Sequence, residues 1–335
     1  MQEKIRVKFI FRKPDESRHS IEELFGRIID NLPGNIIPLK KHLPYHEGLK
    51  GKILNLKFIL KEKADVFHIT GDTTYIAAVL PKSKLITTFH DLGSLQGQNR
   101  IKNYLLKLFW VKIPAKRSAF VTVISRKTEA ELKQIVKLPD EKIKLIHNCI
   151  DDSWTFSGEE NKETTEILFI GTKKNKNLER TIRALSGLDI KLVILGKPDN
   201  EQKELLAKYG IKHEIHVNLS AEEVRSLYRS CNIVLFPSLY EGFGLPVLEA
   251  QATGRALITS NIEPMKSIAS GGALFINPYN EKEIREAVEL LMTDKELKKQ
   301  IINKGLENVK NYSCKAVAMQ YAQLYKLLTK NTQNG

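Results

Sequence analysis

The sequence predicts an α/β protein built as two successive doubly wound parallel sheets, and three observations predict it. Its 335 residues exceed what one hydrophobic core usually supports, so two domains of about 150 residues each are expected. Short runs rich in Val, Ile and Phe alternate with longer stretches of helical period, which is the pattern of βαβ units. After the polar stretch Ser157 to Glu166 the same alternation begins again.

In the first half the expected strands are Val7 to Phe11, Val66 to Thr70, Leu85 to Phe89, Phe120 to Ile124 and a short one at Ile143 to Ile146. In the second they are Ile167 to Ile170, Lys191 to Leu195, His213 to Val217, Ile233 to Pro237 and Ala256 to Thr259. The junction is expected within residues 150 to 165, giving domains over 1–155 and 156–312 and a terminal helical segment over 313–335. In open α/β sheets ligands gather where strand carboxyl ends lead into helix amino termini. Attention therefore falls on the segments after Phe89, Ile124, Ile170, Leu195 and Pro237.

Composition narrows the function classes. With 42% hydrophobic and 27% charged residues the chain reads as an ordinary globular protein. The amino terminus interrupts its apolar residues with charges, as a first strand does and a signal-peptide core does not. No run approaches the roughly 18 apolar residues of a membrane span. Cys149, Cys231 and Cys314 have neither disulfide-framework nor metal-ligand spacing, and a cytoplasmic location is expected. Residues 1 to 150 hold 28 Lys+Arg against 15 Asp+Glu, whereas residues 151 to 335 hold 25 against 24. That asymmetry suggests an anionic partner for the first half. No aromatic-basic RNA motif or helix-turn-helix pattern is present, so nucleic acid is not expected.

The most informative segment follows the strand Ile233 to Phe236: Pro237-Ser238-Leu239-Tyr240-Glu241-Gly242-Phe243-Gly244-Leu245-Pro246-Val247-Leu248-Glu249-Ala250. Two glycines allow close approach of backbone to ligand, and Pro246 suits the first position of a helix. The positive end of that helix favours a phosphate. Glu241 and Glu249 lie before the turn and about one turn into the helix, where each carboxylate can accept bonds from vicinal hydroxyls.

These residues resemble family 4 of the retaining GT-B glycosyltransferases, whose hallmark is Glu-x7-Glu in the form Glu-Gly-Phe-Gly-Leu-Pro-x-x-Glu-Ala. The resemblance extends through Ser226 to Asn232, Gly254 to Asn261, Ile167 to Thr172 and Lys176-Asn177-Leu178. It implies two Rossmann-like domains facing one another across a cleft, with a carboxy-terminal helix from about Ser313 to Leu328 packing back on the first domain. It also implies transfer of a hexosyl unit from a GDP- or UDP-linked sugar to a hydroxyl of a glycan or lipid-linked acceptor, with retention of configuration.

By position, Glu241 inherits contact with the transferred sugar, Glu249 contact with the nucleotide ribose, and Lys176 neutralisation of the diphosphate. Gly242, Phe243, Gly244, Leu245, Thr172 and Asn177 complete the expected donor side. Relatives often carry an arginine where this chain has Asn175 or Thr172, so Lys173 or Lys174 is the expected substitute. In the first domain Thr87-Thr88-Phe89-His90-Asp91-Leu92 resembles the family's His-Asp segment, making His90 a candidate beside the donor sugar. Asp91 and Arg126 are candidates on the acceptor or phosphate side, while His68, Asn148 and Asp151 read as structural. The family's glycine pair after the first strand is replaced by Lys13-Pro14-Asp15-Glu16-Ser17-Arg18-His19.

There is no Asp-x-Asp motif, and a lysine with a helix terminus can carry the charge that a divalent metal carries elsewhere, so neither metal nor cofactor is expected. The alternative readings are a GT-B-like sugar-nucleotide epimerase and an inactive sugar-nucleotide-binding protein. The segment Arg100 to Arg117 mixes bulky apolar residues and lysines at helical spacing, with Leu105, Leu108, Phe109 and Lys112 on one side. Such a helix either covers the sheet or lies on an anionic membrane surface, which would make the chain peripheral on the inner face of the plasma membrane.

Overall fold

A computed structural model of the chain describes residues 4–14, 20–45, 48–92, 100–156, 158 and 164–333. The chain forms two compact units: Met1–Cys149 with Cys314–Gly335, and Ile150–Ser313.

The first unit contains β1 (Ile5–Phe11), α1 (Ser20–Asp30), β2 (Ile36–His42), α2 (Leu49–Ile59), β3 (Val66–Ile69) and β4 (Leu85–Phe89). It continues through α3 (Arg100–Leu106), α4 (Ile113–Arg117), β5 (Phe120–Val123), α5 (Arg126–Ile135) and β6 (Ile143–Leu145). The strands form a parallel sheet in the order β2-β1-β3-β4-β5-β6. The first strand, with neighbours β2 and β3, is where the winding reverses direction. Of the segment that departs from the family pattern, residues 15–19 lie outside the described residues.

The second unit repeats the plan. It contains β7 (Thr165–Ile170), α6 (Leu178–Leu185), β8 (Ile190–Leu195), α7 (Asn200–Lys208), β9 (His213–His216), α8 (Ala221–Ser230), β10 (Ile233–Phe236) and α9 (Leu245–Ala252). Then follow β11 (Ala256–Ser260), α10 (Met265–Ala269), β12 (Leu274–Ile276), α11 (Glu281–Thr293) and α12 (Lys295–Val309). The sheet order is β12-β11-β10-β7-β8-β9, again parallel with its first strand inside.

The last helix, α13 (Cys314–Gln333), belongs to the first unit, where it packs on α1, β1 and β3. Val317, Tyr321, Tyr325 and Leu328 are buried with Val7, Phe9, Phe25, Ile28 and Val66. Cys149 and Cys314, remote in sequence, meet there as buried thiols with sulfurs 2.8 Å apart. Sequence spacing carries no trace of this contact, because it arises where the chain leaves and re-enters the unit.

The segment 100–117 is not one regular helix. Between α3 and α4 the residues Lys107–Lys112 form a π-helical stretch. Val111 and Ala115 are buried in a cluster with Phe89 and Val123, while Tyr104, Leu105 and Phe109 are exposed. The wider π turn rotates the two ends, so one segment supplies both a core face and an apolar outer face.

His68 on β3 is a satisfied core residue. Its Nδ1 lies 2.8 Å from the Tyr325 hydroxyl and its Nε2 2.8 Å from Thr88 Oγ1. Burial, with a smaller effect of His90, lowers its pKa from 6.5 to about 3. The folded chain therefore keeps His68 neutral where the unfolded chain protonates it, and the unfolded state binds more protons between those two values. Stability from this group is full above about pH 6.5 and falls as pH drops, by at most about 1.4 kcal/mol per pH unit. Thermal unfolding followed from about pH 7.5 to 4.5 should show a declining midpoint. In His68→Gln the decline should be shallower from a lower starting point, and equal declines would assign the effect to other groups.

Candidate functional site

The strand order of the second unit dictates where its site forms. Strands β8 and β9 extend the sheet on one side of β7, and β10 to β12 extend it on the other. The loops leaving the carboxyl ends of β7 and β10 therefore diverge from neighbouring strands and leave a crevice between them. Both loops carry residues singled out by sequence.

After β7, Gly171 adopts φ +83°, and a Cβ there would lie 3.0 Å from Lys176 Cγ. Glycine thus lets the lysine stem lie across the strand end. A single turn over Lys174–Lys176 follows, closed by a 2.7 Å bond from the Lys176 N–H to the Lys173 carbonyl. Lys176 Nζ then sits 2.6 Å from Glu241 Oε1, with the two side chains 18% and 15% exposed. The ammonium also lies 4.8 Å from the centre of the Phe236 ring.

Asn175 joins the two loops. Its carbonyl accepts from the Leu239 N–H at 2.7 Å and its amide donates to the Tyr240 carbonyl at 3.0 Å. Asn175 thus latches the loop after β7 to the residues that lead into Glu241. Lys173 and Lys174 are exposed beside it.

Helix α9 opens from Gly244, which caps it at φ +95°. Its first residue is Leu245, and Pro246 is second. Pro246 has no N–H and the Val247 N–H donates to the Gly244 carbonyl at 3.0 Å. The first turn therefore offers an anion the Leu245 N–H and the helix dipole, fewer donors than the sequence pattern alone suggests. One turn on, Glu249 Oε2 accepts from the Tyr228 hydroxyl at 2.6 Å. Tyr228 is fully buried; burial first, then the Glu249 charge, raise its pKa well above 10, so it remains a phenol donor at neutral pH.

Two residues expected at the donor have other commitments. Asn177 is 2% exposed and sits in the left-handed region at φ 72°. Its amide donates to the Pro237 carbonyl at 3.2 Å and the Pro278 carbonyl at 2.6 Å, and its Oδ1 accepts from Arg180. Its side chain is therefore bound into the framework of the loop. Phe243 is likewise buried, with its ring edge-on to Tyr312. Thr172 is half-buried, and its hydroxyl donates to the Lys197 carbonyl at 2.8 Å. Gly242 and Leu245 are half-buried at the loop mouth.

In the first unit His90 follows β4, and its Nε2–H donates to the Thr70 carbonyl at 2.7 Å. Burial lowers its pKa against the opposing pull of that bond, Asp72 and Glu22. A neutral imidazole bound this way turns Nδ1 into its acceptor atom. Asp91 and Arg126 are exposed, Arg126 opening α5 behind the Ser125 cap that accepts from the Thr128 N–H. Sequence reasoning did not single out the reversal point of this sheet. There Arg12, after β1, bonds Glu22 at 3.0 Å and Asp72, after β3, at 2.9 Å. Tyr228 was also missed as a site residue, because a tyrosine within an amphipathic helix reads as core.

Two family models match the chain. The one described as "Glycosyltransferase Family 4" covers residues 1–154, and "Glycosyl transferases group 1" covers residues 151–308. An uncharacterised glycosyltransferase of Methanocaldococcus jannaschii is 27% identical over 236 residues, 63% of this chain and 60% of the relative. The O-antigen chain mannosyltransferase RfbU of Salmonella typhimurium is 25% identical over 228 residues, 65% of this chain and 63% of the relative. The matches thus span less than two thirds of either relative's length. Among solved structures, Anabaena HepE in complex with UDP superposes with a TM-score of 0.80 at 12% identity, covering 96% of this chain and 100% of that one. Two family models that together span residues 1–308, and the same two-sheet architecture in the solved neighbour, place the chain in the family 4 GT-B glycosyltransferases.

Proposed function

We propose that the chain is a retaining glycosyltransferase that moves a hexosyl unit from a GDP- or UDP-linked sugar to a hydroxyl of a glycan or lipid-linked acceptor. The observation that carries this reading is the Lys176–Glu241 pair at the reversal point of the second sheet, with Glu249 already held by Tyr228 one turn into α9. The Salmonella relative's name supports a polysaccharide acceptor, and the Anabaena neighbour's bound UDP supports a nucleoside diphosphate.

On this reading the diphosphate takes Lys176 and the α9 terminus, the ribose takes Glu249, and the sugar hydroxyls take Glu241. As the glycosidic bond breaks, negative charge grows on the departing phosphate, and a fixed cation stabilises that state more than the ground state. The phosphate itself accepts the proton of the incoming hydroxyl on the same face, so no protein base is required. His90 is assigned to the transferred sugar by the family resemblance, with Nδ1 as acceptor, and Asp91 and Arg126 to the acceptor or phosphate side.

A thermal-shift screen of nucleotide sugars identifies the donor, since a ligand at 100 times its dissociation constant stabilises by about 2.7 kcal/mol. With that donor, Lys176→Ala should lower turnover by about 10²- to 10³-fold, whereas Glu249→Ala should weaken the nucleoside diphosphate and raise the donor's KM. Glu241→Gln should lower turnover while leaving affinity for the free nucleoside diphosphate near the native value. Unchanged turnover in folded Lys176→Ala and Glu241→Gln, with unchanged nucleotide affinity in folded Glu249→Ala, would rule the reading out.

The anomeric proton of the product, read by NMR, should show retained configuration, and activity should persist in excess EDTA. An inverted product, or activity lost to EDTA and restored by Mg²⁺ or Mn²⁺, contradicts this mechanism.

We further propose that the first unit docks on anionic lipid through the outer face of 104–112. Tyr104, Leu105 and Phe109 are exposed there, and Lys112 Nζ lies 5.6 Å from the Tyr104 ring. Among the described residues no helix is long and apolar enough to cross a membrane. Basic residues near an anionic leaflet contribute about 1 kcal/mol each and lose it with salt. Cosedimentation with phosphatidylglycerol vesicles should be strong at about 0.05 M salt and weak at about 0.5 M. Indifference to anionic vesicles at low salt would make the charge a solvated surface.

A further inference from the structure

The segment that enters the second unit, described over residues 150–156 and at 158, is seated on the framework behind Glu249. The Ile150 N–H bonds the Tyr312 carbonyl at 2.9 Å, and the Trp154 N–H turns back to the Asp151 carbonyl at 3.3 Å. Trp154 then meets Tyr228 edge to face, with ring centroids 5.0 Å apart and planes at 86°. Phe156 lies over Gly254, where an added Cβ would fall 2.2 Å from the phenyl ring and the backbone has φ +67°. Arg255, buried, donates to the Gly158 carbonyl at 3.0 Å and the Cys231 carbonyl at 3.3 Å.

One of these contacts leads directly to a group at the proposed donor site. Tyr228 is fully buried, and its hydroxyl reaches Glu249 Oε2 at 2.6 Å. An edge-to-face neighbour restricts the tilt of a phenol ring, and a hydrogen bond to a charged acceptor is sensitive to direction. Trp154 is half-buried, so it forms the outer wall of the tyrosine's slot.

We propose that Trp154 is a positioning residue for nucleotide binding: it holds the Tyr228 ring so that the phenol fixes the Glu249 carboxylate toward the ribose diol. This rests on the reading of Glu249 as the ribose contact. The entering strap thereby becomes part of the donor site without touching the donor. Its effect is on ground-state affinity, because the ribose is remote from the bond being broken and its contacts are the same before and during transfer.

The test uses the full chain with UDP and GDP as probes. Dissociation constants are measured by calorimetry for the native protein, Trp154→Ala, Trp154→Phe, Tyr228→Phe, Glu249→Ala and the double variant Trp154→Ala/Tyr228→Phe. Thermal midpoints are taken in parallel. Trp154→Ala and Tyr228→Phe should each weaken the preferred nucleotide about tenfold. The native donor's KM should rise by a similar factor with kcat nearly unchanged. Trp154→Phe keeps an aromatic edge and should restore most of the affinity. The double variant should bind no worse than Tyr228→Phe alone, because both changes remove one interaction. Phe156→Ala, on the same strap but against Gly254, should lower the thermal midpoint without weakening the nucleotide. If Glu249→Ala weakens binding while Trp154→Ala does not, or if the two single effects add, the positioning role falls and the donor reading stands. If Glu249→Ala leaves binding unchanged, the donor reading falls and the positioning role with it.

Discussion

The position of β7 inside its sheet, with β8 on one side and β10 on the other, is the constraint on which the donor side of the second unit depends. A parallel strand must be followed by a crossover, and crossovers on opposite sides of one strand send their loops apart. Lys176 and Glu241 are 65 residues apart in sequence yet form a 2.6 Å pair, because their loops leave adjacent strand ends. The Leu239 bond to the Asn175 carbonyl and the Asn175 bond to the Tyr240 carbonyl then fix the spacing between those loops. The register of β7 and β10 thus sets a coarse distance, and one asparagine sets the fine one.

The Lys176–Glu241 pair contributes little to stability. The attraction between the charges is opposed by the cost of removing both from water, so such a pair is weak evidence of stability. Removing one partner is different, since it leaves the other charge partly buried without its counter-ion. The pairing keeps a cation and a carboxylate together at the mouth of the crevice. A diphosphate can replace the carboxylate as the lysine's partner, which frees Glu241 for hydroxyls on the proposed reading. Glu249 differs in accepting from a neutral phenol, which orients its carboxylate.

What was legible in the sequence follows from how strongly each feature constrains local chemistry. The central strands were visible as apolar runs because both faces of a doubly wound sheet are covered. Strand β2 was not, since it lies at an edge, alternates half-buried and exposed residues beyond the buried Ile36, and contains Pro38, Lys40 and Lys41. Strand β12 escaped because it is three residues long. The loop and helix around Glu241, Gly244 and Glu249 were legible from glycine spacing and the preceding strand. The framework bonds of Asn177 were not legible beside Lys176, because the two carbonyls that accept from its amide lie 60 and 101 residues away. Trp154 carries no pattern, and Tyr228 lies in the family-like run Ser226 to Asn232 without reading as a site residue, because their contact depends on where the entering strap lands.

The charge asymmetry becomes sharper when assigned to units rather than to halves of the sequence. Helix α13 brings Lys315, Lys326 and Lys330 and no acidic residue to the first unit, which then holds 31 Lys+Arg against 15 Asp+Glu. The second unit holds 22 against 24. A chain that returns at its end to the first unit thus adds basic residues there and leaves the second close to neutral. Net charge this concentrated raises self-repulsion within one compact body, a cost that a core need not carry for folding alone. In the first unit it is offset by the aromatic packing of Phe9, Phe25, His68, Tyr321 and Tyr325, to which α13 itself contributes two rings. The same helix therefore supplies both part of the excess charge and part of the packing that tolerates it.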